Sequence, residues 1–160
     1  MTGHEGQQMR KAITTAIAVT AVSPLLLLGA AQPANAATSC YASTCTGLAA
    51  ANTTCINDAK LIYQYDIYTS SGTVVGNIEL KYSPSCRASW ARVISDLSDG
   101  AAGFIYSSQS GLDEVCYGSD GPGTGCNTDM IDDLNPLTSF AEGWAYYNDN
   151  EYWENNTPSY

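Results

Sequence analysis

The chain has 160 residues, of which 44% are hydrophobic, 10% aromatic and 14% charged, a composition that excludes a disordered or collagen-like polymer and fits one globular domain. Asp and Glu outnumber Lys and Arg 16 to 6, for a formal charge of -10. Such a surface repels phosphate backbones and anionic lipid headgroups, which argues against nucleic acid as a partner.

At the N-terminus, Arg10 and Lys11 precede an apolar run from Ala12 to Ala31, followed by Pro33 and the small-residue triplet Ala34-Asn35-Ala36. The run is long enough for a transmembrane anchor, but it contains Thr14, Thr15, Thr20, Ser23 and Pro24 and ends in an A-x-A site. We read residues 1–36 as a secretory signal peptide cleaved after Ala36, leaving a secreted chain with no membrane segment. Cleavage also removes His4, the single histidine.

All six cysteines, Cys40, Cys45, Cys55, Cys86, Cys116 and Cys126, lie beyond that site. An even count behind a signal peptide implies an oxidising compartment and a disulfide framework. A zinc site is the competing reading, but no C-x-x-C pair and no histidine support it. Spacing does not choose among the pairings. Cys116 and Cys126 flank the turn-rich stretch Tyr117 to Gly125, which can fold back to join them. Closing so short a loop contributes about 3 kcal/mol in the chain-entropy treatment.

From Ala37 to Asn57 the residues are small and polar, which predicts a loop-rich lead-in held by disulfides. Leu61 to Tyr68 alternates with Leu61, Tyr63, Tyr65 and Ile67 on one side, the pattern of a strand. Ser70-Ser71-Gly72 is a turn. Val74 to Tyr82 is a second strand with Val74, Ile78, Leu80 and Tyr82 inward and Asn77, Glu79 and Lys81 outward, so the two form a hairpin. Ser83-Pro84-Ser85 breaks it, Trp90 to Ile94 resumes extended structure, and Ser98-Asp99-Gly100 turns the chain again. Further strands are predicted at 103–107, 113–117, 128–131 and 139–147. The fold class is all-β: a small disulfide-stabilised sandwich or barrel over residues 37–147. Residues 148–160 form an acidic aromatic tail, either mobile or a strap.

The segment Glu79-Leu80-Lys81-Tyr82-Ser83-Pro84-Ser85-Cys86-Arg87-Ala88-Ser89-Trp90-Ala91-Arg92 resembles the signature of the YjfA-like family, small secreted bacterial proteins of unknown function. The motif positions are Tyr82, Ser83, Cys86, Trp90, Ala91 and Arg92. Cys45-Thr46-Gly47 and Cys55-Ile56-Asn57-Asp58-Ala59 are similar to that family's lead-in, although Leu48-Ala49-Ala50 stands where the family carries an Asp-Pro turn. The resemblance covers Cys40 to Ile94 and implies a secreted β-rich domain with no catalytic residues to carry over. Read from its residues, the segment is structural: Cys86 staples a connection, Trp90 plugs the core, and Arg87 or Arg92 stacks on an aromatic ring or pairs with Asp58 or Glu79. In the functional alternative, Arg87 and Arg92 bind an anionic group.

Without histidine, the usual activation of a Ser or Cys nucleophile and histidine-ligated metals are excluded, so no catalytic residue, cofactor or enzymatic activity is expected. Paired carboxylates suited to glycoside hydrolysis are densest at Asp129, Asp132, Asp133 and Glu142, where a solvated acidic edge is the simpler reading. Asp129, Asp132 and Asp133, with Asp120, are candidates for calcium by donor type alone. Trp144, Tyr146, Tyr147, Tyr152 and Trp153 form the densest aromatic group; in a strand Trp144 and Tyr146 share a face opposite Tyr147. These rings suit either core packing or a platform for sugar rings. The expected function is a secreted, non-enzymatic domain that binds cell-wall or other extracellular glycan. The alternative is an inhibitor or effector of another extracellular protein, acting through the disulfide-bounded loop at 117–125.

Overall fold

The computed structural model of this protein describes residues 38–148 and 151–160, apart from the side chain of Leu112. The expected signal peptide lies outside the described residues. Among the described residues nine strands follow three short 3-10 helices at Ala42–Cys45, Ala50–Asn52 and Thr54–Asp58: β1 Lys60–Tyr68, β2 Val74–Ser83, β3 Ala88–Ser95, β4 Ala101–Ser107, β5 Gly111–Tyr117, β6 Thr124–Asn127, β7 Ile131–Asp132, β8 Ser139–Asn148 and β9 Glu151–Asn156. Sheet one runs β1-β2-β3, with β6 and β7 both paired antiparallel to β3; sheet two has the order β5-β4-β8-β9. The architecture is an all-β sandwich of two antiparallel sheets. The barrel alternative is not realised, because among the described residues no ladder joins the two sheets.

The predicted hairpin forms around Thr69–Thr73, where Thr69 N–H donates to the Thr73 carbonyl and Gly72 N–H to the Thr69 carbonyl. Two register shifts, between Leu61 and Tyr63 and between Ile67 and Tyr68, correct the expected pattern. An extra residue in one strand of a pair turns the residues beyond it to the opposite face. Ile62 therefore packs on the core while Leu61 is exposed, and Val75 is buried while Val74, expected inward, is exposed. Glu79 does lie on the face away from the core, yet it is only 8% exposed because Arg92 and Lys81 both reach it at 3.2 Å. The strand expected at 128–131 is also corrected: β6 ends at Asn127 and β7 begins at Ile131. Thr128 between them is buried, donating its N–H to Ala91 and accepting the Ala91 N–H through its hydroxyl.

Two cores result. The main one lies between the sheets and contains Ile67, Val75, Ile78, Leu80, Val93, Ile105 and Ile131; each fully buried aliphatic chain here stabilises by about 1.5–3 kcal/mol. Gly103 and Gly143, cross-strand partners in β4 and β8, let the layers meet. A Cβ at Gly143 would sit 2.8 Å from Ile78, and one at Gly103 would sit 3.2 Å from Val93. The second core lies on the outer side of sheet one, where Trp90, 1% exposed, packs with Ala88, Met130 and the cysteines of the lead-in. Trp90 thus plugs a core, as expected, on the side the 3-10 helices cover.

The disulfides are Cys40–Cys45, Cys55–Cys86 and Cys116–Cys126. The last is the pairing anticipated from the turn-rich loop. The C-terminal stretch is a strap: β9 pairs with β8 and Thr157 is buried, accepting the Ala141 N–H. Among the described residues no helix is long and apolar enough to cross a membrane.

Candidate functional site

Strand alternation sorts β8 cleanly. Ser139, Ala141, Gly143 and Ala145 are buried toward sheet one, and Phe140, Glu142, Trp144 and Tyr146 point to the outer side of sheet two. Register then places Phe104 and Tyr106 of β4, and Tyr152 and Glu154 of β9, on that same outer side. The rings form a continuous array, with Phe104, 7% exposed, at its base. Trp144 stacks on Tyr152 with centroids 4.0 Å apart, tilts against Phe104 at 4.4 Å and meets Tyr146 edge-on at 6.3 Å; Tyr106 and Phe140 stack at 4.6 Å. These offset and edge contacts hold the rings in fixed orientations.

Carboxylates are set among the rings. Glu142 accepts the Trp144 indole N–H at 2.7 Å. It also faces Tyr106, whose hydroxyl is pushed up to about 12 by burial first and then by this carboxylate. Burial, followed by Tyr117 and Tyr152, raises Tyr146 as well. At one end of the face, Tyr117, Tyr146, Asp99, Ala101 and Gly118 line an open cleft of about 230 Å³. Tyr117 is 74% exposed beside the Cys116–Cys126 staple. Aromatic walls with a carboxylate are suited to a ligand with apolar ring faces and hydroxyl edges. Along β8 the residues of this outer face are half-buried where the alternate residues, turned to sheet one, are buried.

The structure divides the five aromatics singled out in the sequence. Trp144, Tyr146 and Tyr152 share the outer face; Trp153 is turned to the main core, and Tyr147 stacks on it at 5.1 Å. Phe104, Tyr106, Phe140 and Glu142 belong to the site although the sequence reading did not place them there. Their signal was present in the period-two series Phe104/Tyr106 and Phe140/Glu142/Trp144/Tyr146, which needed the β4–β8 register to become one surface.

The remaining candidates have structural partners. Arg92 donates to both Glu79 oxygens at 3.2 Å, the pairing expected of it. Arg87 adopts a φ of 54° and donates to the Tyr82 hydroxyl at 3.0 Å, which raises the arginine further. The Tyr82-Ser83-x-x-Cys86 motif is a lock: the Ser83 hydroxyl donates to Asp58 and accepts the Cys86 N–H, and Ser85 N–H donates to the other Asp58 oxygen at 2.8 Å. The Ser83 hydroxyl holds Asp58 below the usual carboxylate range.

Asp132 accepts the Leu134 N–H at 2.9 Å, and Asp133 is turned inward to Ser139 at 3.0 Å. Asp129 lies near Glu114, whose carboxyl is raised by burial and then by Asp129 and Asp113. Among the described residues no three carboxylates converge; the convergent metal-ligating set is Cys40, Cys45, Cys55 and Cys86.

No solved structure matches this chain. It is similar to the Uncharacterized protein YjfA of Bacillus subtilis (strain 168), with 29% identity over 99 residues, 56% of this chain and 63% of that protein. The chain thus spans somewhat under two thirds of that relative's length. The family described as Protein of unknown function (DUF2690) matches residues 43–142, a span from the first 3-10 helix into β8. It takes in the Ser83 lock, the second core, Phe104, Tyr106, Phe140 and Glu142; Trp144, Tyr146 and Tyr152 lie beyond it. With well over half of its length matched, and with the motif residues serving as its internal lock, the chain belongs to this family of proteins of unknown function.

Proposed function

We propose that this protein is an exported, non-enzymatic domain that binds glycan of the cell wall or the surrounding medium on the outer face of sheet two. One observation carries the reading: the Trp144–Tyr152–Tyr146 array, backed by the buried Phe104 ring, with Glu142 fixed among the rings and a small cleft at its edge. Sugar rings present C–H faces that stack on aromatic rings, and their hydroxyls donate to carboxylates held without rearrangement. The protein's own rings and Glu142 are held by these contacts before binding, which lowers the ordering cost. The charge of -10 favours neutral glycans over polyanionic ones. Export is supported by the signal-like residues 1–36 and by three disulfides, which persist in oxidising compartments.

The test is co-sedimentation of the oxidised protein with peptidoglycan and with insoluble neutral polysaccharides, beside the Trp144→Ala and Trp153→Ala variants. Saturable retention that Trp144→Ala abolishes and Trp153→Ala preserves is the expected result. No retention on any glycan overturns the reading. Tyr117, the exposed residue at the staple, favours a protein partner as the second reading; capture of a soluble protein that is lost when 117–125 is replaced would establish it.

A further inference from the structure

Away from the aromatic face, three separate backbone segments bring four sulfurs to one point. Cys40 and Cys45 bracket the first 3-10 helix, Cys55 lies in the third, and Cys86 sits in the turn between β2 and β3. The two disulfides touch: Cys40 Sγ is 3.4 Å and Cys45 Sγ 4.0 Å from Cys55 Sγ, and all four sulfurs fall within 4.8 Å of one another. Cross-linking alone does not require this convergence, since Cys116–Cys126 joins β5 to β6 outside the cluster. Four thiolates about a tetrahedral zinc ion at ~2.3 Å stand about 3.8 Å apart, within the spread found here, and the Cys40-x4-Cys45 spacing falls in the range of zinc ligand pairs. Cys45, Cys55 and Cys86 are buried and Cys40 is half-buried, so a small thiol has access at Cys40.

We propose that this cluster is a redox-interchangeable metal site, two disulfides when oxidised and a tetrathiolate centre for a soft divalent cation such as Zn²⁺ when reduced. Two molecules of a dithiol supply four electrons and four protons to the two S–S bonds, leaving as cyclic disulfides and giving four thiols. Zn²⁺ then displaces the four protons and forms four Zn–S bonds. In the reverse direction two molecules of oxidised glutathione each accept two electrons from the thiolates and two protons from water, the protein disulfides re-form, four molecules of reduced glutathione leave and the metal is released. Either state ties the lead-in to sheet one and keeps Trp90 covered; the reduced, metal-free chain loses both ties. The site is independent of the aromatic face and of its ligand.

The experiment uses the full chain carrying Cys116→Ser and Cys126→Ser, so that only the four clustered thiols remain, reduced by a dithiol that is then removed anaerobically. Titration with Co²⁺ is expected to give one ion per chain, with thiolate-to-cobalt charge transfer and the visible bands of tetrahedral cobalt, and Zn²⁺ is expected to displace it. Oxidised glutathione then releases the metal, and peptide mapping recovers the 40–45 and 55–86 pairs. Cys55→Ser in the same background loses the tetrathiolate spectrum and binds about tenfold more weakly or worse. Uptake without tetrahedral bands, no uptake by the reduced chain whether folded or not by tryptophan fluorescence, or equal binding by the Cys55→Ser variant overturns the proposal.

Discussion

Asp133→Asn isolates an ionisation buried between the layers. Asp133 is 6% exposed; its carboxylate accepts from the Ser139 hydroxyl at 3.0 Å, and Ser139 accepts from Ser89 of the opposite sheet at 2.8 Å. Burial pushes its carboxyl up to about 6 against an ordinary 3.8, with Asp132 adding to the rise and the two hydroxyls opposing it. The folded chain therefore holds this proton more tightly than the unfolded chain does. Well below pH 3.8 both states are protonated and the group costs nothing. As pH rises from about 4 to 6 the unfolded state ionises first, so stability falls, and above the folded value the loss is complete. Two units of difference correspond to about 3 kcal/mol. Asn keeps the shape and an acceptor for Ser139 but cannot ionise. Urea unfolding followed by tryptophan fluorescence at pH 4, 5, 6 and 7.5 should show the stability of the variant, relative to the parent, rising by about 2.5 kcal/mol across this range. The subtraction removes the common contribution of the acidic surface. Parallel curves, or a gap that widens toward acid, would refute the reasoning.

The disulfides should rank by the chain they close. With sequence separations of 5, 10 and 31, removing Cys40–Cys45, Cys116–Cys126 or Cys55–Cys86 by paired Ser substitution costs about 2, 3 and 4 kcal/mol respectively, read by urea unfolding. Gly143→Ala drives a Cβ to 2.8 Å from Ile78 and is expected to cost about 1–3 kcal/mol by overpacking, where Ala at an open strand glycine would be neutral or stabilising. Trp153→Ala opens the edge of the main core and should cost about 2–3 kcal/mol in thermal unfolding while leaving glycan retention intact.

Much of the sandwich is legible because strand burial has period two. Ile78, Leu80 and Tyr82 alternate without interruption, and no later constraint alters their face. Legibility fails where one residue is inserted: the extra residues at Ile62 and Val75 turn Leu61 and Val74 outward, and nothing in the local composition marks a bulge. Glu79 shows a different limit. Alternation correctly assigns its face, but burial on that face depends on Arg92 arriving from β3, a partner thirteen positions away. The same holds for the site. Trp144 and Tyr146 are visible as one face of one strand, whereas Phe104 and Tyr152 join them only through the β4–β8 and β8–β9 registers. Of the disulfides, Cys116–Cys126 is readable from its turn-rich loop. The other two pairings depend on how the 3-10 helices settle over Trp90.

The three tryptophans occupy three environments: Trp90 in the second core, Trp153 toward the main core and Trp144 on the outer face. Their indole N–H resonances therefore report separately on the central claim. In a ¹H–¹⁵N titration of the oxidised protein with soluble fragments of the glycan that retains it, the Trp144 indole should shift saturably while those of Trp90 and Trp153 hold still. A shift of Trp153 or Trp90 with Trp144 unmoved, or no indole shift at saturation, would contradict the assignment of the outer aromatic face as the binding surface.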